Sequence, residues 1–293
     1  MNFKYANPDL LRSLDQLIFE LKNTVSGNLA GKHLSNSIGK SLEFVQHREY
    51  STGDDIRSID WKVYARRDKY FIKQYRQETN LNCYFLLDCS TSMWFKKSNE
   101  ITKYEYASTL ISCLSYILLN QNDSVGLIKY DNKILEMIPS RSRKEYFYKI
   151  VSSLENEVVG GESDYQNFLS QIKQSIKEKF LLFFVSDLVF DSKKMVRLLK
   201  QIACSGVYVY VLHTISPIEK KLDFDLENVV FEDIENNTKK ITTYLSEIKK
   251  IYVKLFNERI ELFNRELNEQ KIRYIEVDIS VPIIENIRNI LRV

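Results

Sequence analysis

The hydrophobic and polar positions from residue 81 onward alternate between short apolar runs and longer amphipathic stretches. The apolar runs predict buried strands at 81–88, 124–130, 133–139, 180–186, 207–213, 228–233 and 272–278. Helical spacing between them predicts helices near 103–120, 143–156, 165–178, 191–203, 244–269 and 282–291. Apolar strands that alternate with helices indicate an α/β fold with a doubly wound, mostly parallel sheet covered on both faces.

The first 80 residues follow a different pattern. Residues 8–25 place leucines at helical intervals, and Pro8 lies near the start of this predicted helix. Residues 26–56 look irregular, a short helix is predicted after Asp60, and a strand is predicted within residues 69–77. We therefore predict an N-terminal helical and irregular extension at 1–80 and an α/β domain at 81–293.

The composition is that of an ordinary soluble globular protein, with 44% hydrophobic and 28% charged residues among 293. No apolar run approaches the roughly 20 residues that span a bilayer. The N-terminus also lacks the apolar core of a signal peptide, so we predict a cytoplasmic protein without a membrane span. The four cysteines show no CxxC spacing, which favours reduced thiols over a zinc site or a disulfide scaffold.

Basic and aromatic residues interleave between Arg57 and Arg76, where most of the net charge of +3 arises. Such a segment can stack bases and neutralise phosphates. The pI of about 8.4 is low for a dedicated nucleic-acid-binding protein. Nucleic-acid binding is therefore the weaker interpretation, and aromatic residues in a strand-like segment are more often core.

Oxygen-bearing side chains follow two of the predicted buried strands. Asp88, Ser90 and Ser92 come at and after the end of 81–88, and Asp187 follows 180–186. A loop between them holds Ser163 next to a pair of glycines. Ligands of open parallel sheets bind at the carboxyl ends of the strands, and carboxylates with hydroxyls suit Mg²⁺, with Mn²⁺ or Ca²⁺ as alternatives. The alternative interpretation is that these residues only cap helices.

The DCSTS segment at 88–92 resembles the metal-ion-dependent adhesion site (MIDAS) of von Willebrand factor A domains, whose signature is DxSxS with a later Thr and a later Asp. The resemblance implies that Ser90 and Ser92 bind the metal directly, while one or both of Asp88 and Asp187 reach it through water. Ser163 would take the Thr position. It keeps the hydroxyl but lacks the methyl group that helps to fix a threonine rotamer.

Residues 39–78 resemble the signature of the bacterial domain of unknown function 58 family, in which an EF…R.Y..GDD.R.IDW…AR segment precedes a von Willebrand A-like domain. The matching residues are Glu43, Phe44, Arg48, Tyr50, Gly53, Asp54, Asp55, Arg57, Ile59, Asp60, Trp61, Ala65 and Arg66. The SDL at 186–188 also fits, and the resemblance covers roughly residues 35 to 285. Members are paired with MoxR-type AAA+ ATPases, which implies an adaptor or co-chaperone role.

Three classes of function follow from these residues. The first is a non-enzymatic, metal-dependent protein-binding module that captures an Asp or Glu of a partner, with a MoxR-type AAA+ ATPase or its client as the implied partner. The second is a metal-dependent hydrolase, for which no general acid or base is recognisably placed. The third is a structural or nucleic-acid-binding protein that uses residues 57–76.

The upstream motif itself admits two interpretations. Its charged and aromatic residues form either a structural ion-pair network or a surface on which a partner docks. The residues concerned are Arg48, Asp54, Asp55, Arg57, Asp60, Trp61 and Arg66.

Overall fold

The computed structural model of the chain describes residues 3–24, 42–67, 69–77, 81–95, 101–131, 133–157, 180–189, 192–222, 228–232 and 240–292. Contacts within the chain define two units. The larger comprises Met1–Asn23 with Leu81–Val293, and the smaller comprises Thr24–Asn80. The predicted helix at 165–178 and the loop that holds Ser163 lie outside the described residues.

The described elements follow the predicted order closely. The strands are β1 (Leu42–Glu49), β2 (Phe71–Gln77), β3 (Asn82–Asp88), β4 (Ser124–Tyr130), β5 (Ile134–Arg141), β6 (Leu181–Ser186), β7 (Tyr208–Ile215), β8 (Asn228–Glu232), β9 (Lys240–Tyr244) and β10 (Arg273–Asp278). The helices, in chain order, are α1 (Pro8–Thr24), α2 (Trp61–Arg67), α3 (Lys103–Asn120), α4 (Tyr146–Glu155), α5 (Ser192–Ala203), α6 (Pro217–Lys221), α7 (Leu245–Glu269) and α8 (Ile283–Arg292).

A six-stranded sheet forms the centre of the larger unit, in the order β10-β7-β6-β3-β4-β5. Every neighbouring pair is parallel except β4 and β5. The chain proceeds from β3 outward to β4 and β5, and then returns to the other side of β3 with β6. The topological switch point therefore lies between β3 and β6, and ligands of such sheets bind at the carboxyl ends of the strands there. The predicted fold class is confirmed.

Both faces of the sheet are covered by apolar packing. Helices α3, α4 and α8 cover one face of the sheet, where Leu110, Ile150 and Ile287 are fully buried. Helices α5 and α7 bury the other face, where Leu199 and Leu267 are fully buried. β3 is buried on both faces, as is usual for the central strand of a parallel sheet. The end of β3 is thus held rigidly inside the protein.

Helix α1 belongs with the larger unit rather than with the rest of the predicted extension. Its apolar face buries Leu14 and Leu17 in the same core as α3 and α4. The Tyr116 hydroxyl on α3 also donates a hydrogen bond to Asp15, at 2.9 Å. An isolated amphipathic helix of this length is marginal in water, so its apolar stripe needs this cover. The two units meet in sequence between residues 80 and 81, and residues 1–23 do not share a unit with residues 24–80.

The smaller unit contains an antiparallel pair, β1 with β2, with an irregularity in register between Phe44 and Gln46. The prediction that residues 26–56 are irregular is wrong for 42–49, because β1 pairs with a strand more than 20 residues later and local composition does not show such a partner. Helix α2 follows Asp60 as predicted, and the Asp60 carboxylate accepts a hydrogen bond from the Lys62 backbone N–H at 3.0 Å.

Two further observations bear on the sequence predictions. β9 was not predicted, and it pairs with β8 in an antiparallel ribbon. None of the helices in the described ranges combines the length and apolar character needed to cross a membrane.

We expect Leu14→Ala in α1 to lower the free energy of unfolding by about 3 kcal/mol, because it opens a cavity in the core of the larger unit. Urea denaturation followed by circular dichroism measures this loss. The exposed neighbour Gln16→Ala is the matched control and should change the stability by less than about 0.5 kcal/mol. Equal effects of the two substitutions would contradict the assignment of α1 to this core.

Candidate metal site at the sheet edge

Asp88 ends β3 at the switch point and is only 1% exposed. Its Oδ1 accepts a hydrogen bond from the Ser90 backbone N–H at 2.9 Å, which makes a tight turn after the strand. Its Oδ2 accepts a hydrogen bond from the Ser186 hydroxyl at the end of β6, at 2.7 Å. The two strands that flank the switch point are therefore tied together at this carboxylate.

The hydroxyls of Ser90 and Ser92 form a hydrogen bond with each other, with their Oγ atoms 3.1 Å apart. Both serines are buried. Ser90 precedes a short 3-10 helix, Thr91–Trp94, but its side chain makes no capping hydrogen bond. Helix α3 is capped instead by Thr102, in a capping box with Glu105. The capping alternative therefore does not explain Ser90, and neither serine caps α3.

Asp187 follows β6 at the same edge, and its carboxylate is bound by a lysine. The Lys103 ammonium, on the first residue of α3, lies 2.6 Å from Asp187 Oδ2 and 2.5 Å from Glu219 Oε1 on α6. The side chain of Lys103 is 1% exposed. Burial alone lowers the pKa of Lys103, but the charges and hydrogen bonds of the two carboxylates outweigh burial and raise it. The lysine is therefore a permanent cation inside the site.

Sequence reasoning missed Lys103 and Glu219. One signal was available for the lysine, because a cation in the first turn of a helix is opposed by the positive end of the helix dipole. Its presence there calls for an acidic partner nearby. For Glu219, the local sequence signal is its place in the Ser-x-x-Glu capping box that opens α6. Its second oxygen contacts Lys103, a residue 116 positions earlier, and no local pattern shows this.

His213, near the end of β7, holds the backbone of Asp187. Burial lowers the pKa of His213 to about 4, so the imidazole is neutral at pH 7. Its Nε2 lies 3.1 Å from the Asp187 carbonyl oxygen, and its Nδ1 lies 2.6 Å from the Tyr274 hydroxyl. Because a carbonyl oxygen only accepts, Nε2 carries the proton and donates to Asp187, while Nδ1 accepts from Tyr274. His213 is thus a structural support rather than a metal ligand here.

The site carries an excess of negative charge. Burial and the neighbouring charge of Asp187 raise the pKa of Asp88 to about 6, although hydrogen bonds from Ser186 and Ser90 oppose this shift. At neutral pH Asp88 is therefore mostly ionised. Asp187, Glu219 and Asp88 supply three negative charges and Lys103 one positive charge, so these four side chains sum to two negative charges. Among the described residues no cation forms an ion pair with Asp88.

These residues fit a divalent cation with oxygen ligands. In an octahedron with Mg–O distances of about 2.1 Å, adjacent ligand oxygens lie about 3.0 Å apart. The separation of the Ser90 and Ser92 hydroxyl oxygens matches this edge. A dication would also neutralise the two excess negative charges. Asp187 already accepts hydrogen bonds at both oxygens, from Lys103 and from the Val189 backbone N–H, which favours contact with a metal through water.

The fifth predicted ligand, Ser163, lies outside the described residues, as does the neighbouring Asp164. Within the described ranges, no three His, Cys, Asp or Glu side chains form a metal-binding group by themselves. The predicted ligand set includes only two carboxylates, so hydroxyl oxygens would have to supply the remaining protein ligands.

A cavity of about 350 Å³ opens beside Asp187. Its walls are mainly apolar and include Tyr252, Leu255 and Phe256 of α7, of which Leu255 is 58% exposed. Arg259 also lines the cavity and donates a hydrogen bond to the Leu188 carbonyl oxygen at 3.1 Å. Concave, largely apolar surfaces of this size are common binding sites.

The residues of the upstream motif make contacts within the smaller unit. Arg48 forms an ion pair with Asp54 at 2.7 Å. The hydrogen bond from the Ser51 backbone N–H and this ion pair together lower the pKa of Asp54. Asp60 lies 2.9 Å from His47. Arg48 and Asp54 of the predicted network are therefore paired with each other, and the network as a whole stays a prediction.

Other members of the motif have no ion pair in the described part of the chain. Asp55 accepts a hydrogen bond from the Arg57 backbone N–H rather than from its side chain. Arg57 and Arg66 are exposed. Trp61 is 58% exposed and lies edge-on to Tyr64 and Tyr70. This aromatic group is therefore on the surface of the smaller unit and not in a core.

Comparison with protein families decides the membership of this chain. The family model described as "Protein of unknown function DUF58" matches residues 46–259. The chain belongs to the DUF58 family. An "Uncharacterized protein Mb1516" of Mycobacterium bovis is 22% identical over 233 residues, which cover 78% of this chain and 72% of the relative. "Uncharacterized protein Rv1480" of Mycobacterium tuberculosis matches with the same values.

Several solved structures are similar to this DUF58 chain. An aerotolerance-related membrane protein from Bacteroides fragilis is 20% identical, with 73% of this chain and 99% of that chain covered and a TM-score of 0.49. BatB from Bacteroides thetaiotaomicron is 18% identical, with 73% and 96% covered and a TM-score of 0.47. The SpRpn10 VWA domain is 12% identical, with 72% and 95% covered and a TM-score of 0.40.

We expect Lys103→Met to lower the free energy of unfolding of the metal-free DUF58 protein by about 3 kcal/mol, because it leaves the buried Asp187 carboxylate without its cation. Urea denaturation in EDTA measures the loss. Lys254→Met is the control, since Lys254 forms an exposed pair with Glu258 at 3.9 Å and such pairs contribute less than about 1 kcal/mol. A loss no larger than that of the control would show that the buried contacts of Lys103 are unimportant.

We expect Asp88→Asn to stabilise the metal-free protein relative to wild type increasingly as the pH rises from 4 to 7.5. The folded-state pKa of Asp88 is raised from 3.8 to about 6, so the wild-type protein loses stability as this carboxyl ionises, and asparagine does not. Urea denaturation in EDTA at several pH values measures the difference. Asp278→Asn, in a similar Asp-x-Ser turn after β10, is the control. A difference that does not change with pH would rule out the burial of this charge.

Proposed function

We propose that this DUF58 protein is a non-enzymatic, metal-dependent protein-binding module. Asp88, Ser90, Ser92, Ser163 and Asp187 would hold Mg²⁺, or Mn²⁺ or Ca²⁺ in its place. The bound ion would supply a Lewis-acidic position that accepts a carboxylate oxygen. In this proposal the ligand completing the site is an Asp or Glu side chain of a partner protein.

One observation carries the proposal more than any other. Two buried hydroxyl oxygens lie 3.1 Å apart beside a buried carboxylate that has no ion-pair partner among the described residues. Leaving such a charge inside a protein is costly unless it is paired or binds a metal. The hydrogen bonds from Ser186 and the Ser90 backbone orient the Asp88 carboxylate without neutralising it. A cation at the serine hydroxyls would remove that cost.

The surroundings of the site favour a protein as the ligand. The apolar cavity beside Asp187 and the exposed Leu255 would contact the residues that flank the captured carboxylate. Exposed apolar surface next to a polar site is typical of an interaction surface. The family resemblance implies a MoxR-type AAA+ ATPase, or its client, as this partner. The predicted cytoplasmic location fits such a partner and stays a prediction.

The hydrolase alternative requires a group that moves protons. His213 is committed to two hydrogen bonds and has a pKa of about 4. Lys103 is held as a cation between two carboxylates, so it is a poor general base. The described residues near the site therefore favour binding over turnover. Hydrolysis of phosphate esters by the wild-type protein, abolished in Asp88→Ala, would support the alternative instead.

We expect Mg²⁺ to raise the thermal unfolding midpoint of the wild-type protein and to leave that of Asp88→Ala/Ser90→Ala unchanged, because a ligand stabilises only the fold that binds it. The matched control is Asp278→Ala/Ser280→Ala. It removes the similar turn after β10, where Ser280 donates to Asp278 at 2.6 Å, and it should keep the Mg²⁺ response. No Mg²⁺-dependent shift in the wild-type protein would overturn the metal site.

The same variants test the partner. Affinity capture from the native cell should recover an AAA+ ATPase with the wild-type protein and with the Asp278→Ala/Ser280→Ala control, and only when Mg²⁺ is present. Recovery of the ATPase by the Asp88→Ala/Ser90→Ala variant, or in EDTA, would contradict recognition through a bound metal.

A further inference from the structure

We infer that Lys103 determines which ionic charge the site accepts, because its ammonium reduces by one the negative charge that the described residues Asp88, Asp187 and Glu219 bring to it. This inference rests on the proposed metal site and names a residue outside the MIDAS signature. It concerns the choice among cations, not the capture of a partner. Its basis is the buried contact of one ammonium with two carboxylates from different elements.

The position of Lys103 leaves it little freedom. It is the first residue of α3, and the capping box of Thr102 and Glu105 fixes the start of that helix. Its ammonium reaches across the sheet edge to Asp187 after β6 and to Glu219 on α6. With 1% of the side chain exposed, solvent scarcely screens its charge. The cation is therefore a fixed part of the site.

Both carboxylates that Lys103 binds are anchored independently. Asp187 also accepts from the Val189 backbone N–H, and His213 donates to its carbonyl oxygen. Glu219 accepts a hydrogen bond from the Ser216 backbone N–H at 3.2 Å, and its own carbonyl oxygen accepts from the Tyr252 hydroxyl at 2.9 Å. Removing the ammonium would leave these carboxylates in place and raise the negative excess to three.

The charge count leads to a preference among ions. With Lys103 present, Asp88, Asp187 and Glu219 exceed the cation by two charges, which a divalent ion balances. Without Lys103, the same metal site would favour a trivalent ion. Arg259 also lines the neighbouring cavity, and its positive charge adds to the effect of burial in lowering the pKa of His213. This contribution is present with and without Lys103, so it does not change the effect of removing the lysine. Coulomb interactions at a few ångströms are large enough to control ion binding.

Four proteins separate charge from geometry. They are the wild-type protein, Lys103→Met, Glu219→Gln and the double variant. The side chains at positions 88, 103, 187 and 219 together carry net charges of −2, −3, −1 and −2 in these four proteins. Calorimetry gives the dissociation constants of Mg²⁺ and Ca²⁺, and luminescence gives that of Tb³⁺, which is close to Ca²⁺ in radius. The informative quantity is the preference for Tb³⁺ over Ca²⁺, because both ions should meet the same ligands.

We expect Lys103→Met to increase the preference for Tb³⁺ at least about tenfold and Glu219→Gln to decrease it, because each changes one charge near the ion. The double variant should return close to wild type. Dissociation constants for Mg²⁺ should follow the same order, tightest in Lys103→Met. If Lys103→Met does not fold, the comparison of Glu219→Gln with wild type decides, and an unchanged preference there overturns the inference.

The failure of this inference differs from the failure of the proposed function. If the wild-type protein binds none of the three ions, the metal site itself is wrong and the inference falls with it. If the wild-type protein binds them and all variants show one Tb³⁺ preference, the metal site stands and only the role of Lys103 is overturned.

Discussion

The ammonium of Lys103, buried between Asp187 and Glu219, makes the interaction on which the charge of the candidate site depends. It joins the start of α3, the end of β6 and the short helix α6 at one point. A buried cation with two carboxylate partners offsets a desolvation cost that either carboxylate would otherwise bear alone. Because both carboxylates are also bound to backbone N–H groups, the ammonium lies between two negative charges whose positions are already fixed.

This contact is effective because the sheet brings distant segments to one edge. Asp88 and Asp187 are about a hundred residues apart in sequence, yet β3 and β6 are parallel neighbours whose carboxyl ends coincide. The hydrogen bond from Ser186 to Asp88 joins those ends directly. The switch point of a doubly wound sheet leaves a crevice there, and the polar residues of this chain occupy it. The remaining packing, with apolar helices on both faces, holds β3 and β6 in that relation.

The smaller unit has a different character. Its described ion pairs include Arg48 with Asp54 and His47 with Asp60, next to the β1–β2 pair. Trp61, Tyr64 and Tyr70 contact each other on its surface. An exposed aromatic group of this kind is compatible with a partner-docking surface, which is one of the two interpretations that the sequence allows for the upstream motif. The contacts that are present support the structural interpretation for Arg48, Asp54 and Asp60.

What the sequence determined by itself was local and periodic. Apolar runs and helical spacing predicted the described strands and helices of the parallel sheet, and the order of strands and helices indicated that Asp88 and Asp187 share an edge. The prediction for β1 failed because its partner β2 lies more than 20 residues later in the chain. β9 was missed although its partner β8 is the preceding strand. The capping alternative for Ser90 could not be rejected without the hydrogen bonds around it.

Only the tertiary structure decided the charge of the site. Lys103 and Glu219 stand in ordinary helical sequence, and neither belongs to the signature that indicated a metal. The two residues are 116 positions apart in sequence, yet the Lys103 Nζ and Glu219 Oε1 atoms lie 2.5 Å apart. Burial strengthens this ion pair. Electrostatic energy depends on distance and exposure, which a sequence does not contain. The sequence therefore indicated which oxygens could bind a cation, and the fold decided how much negative charge surrounds them.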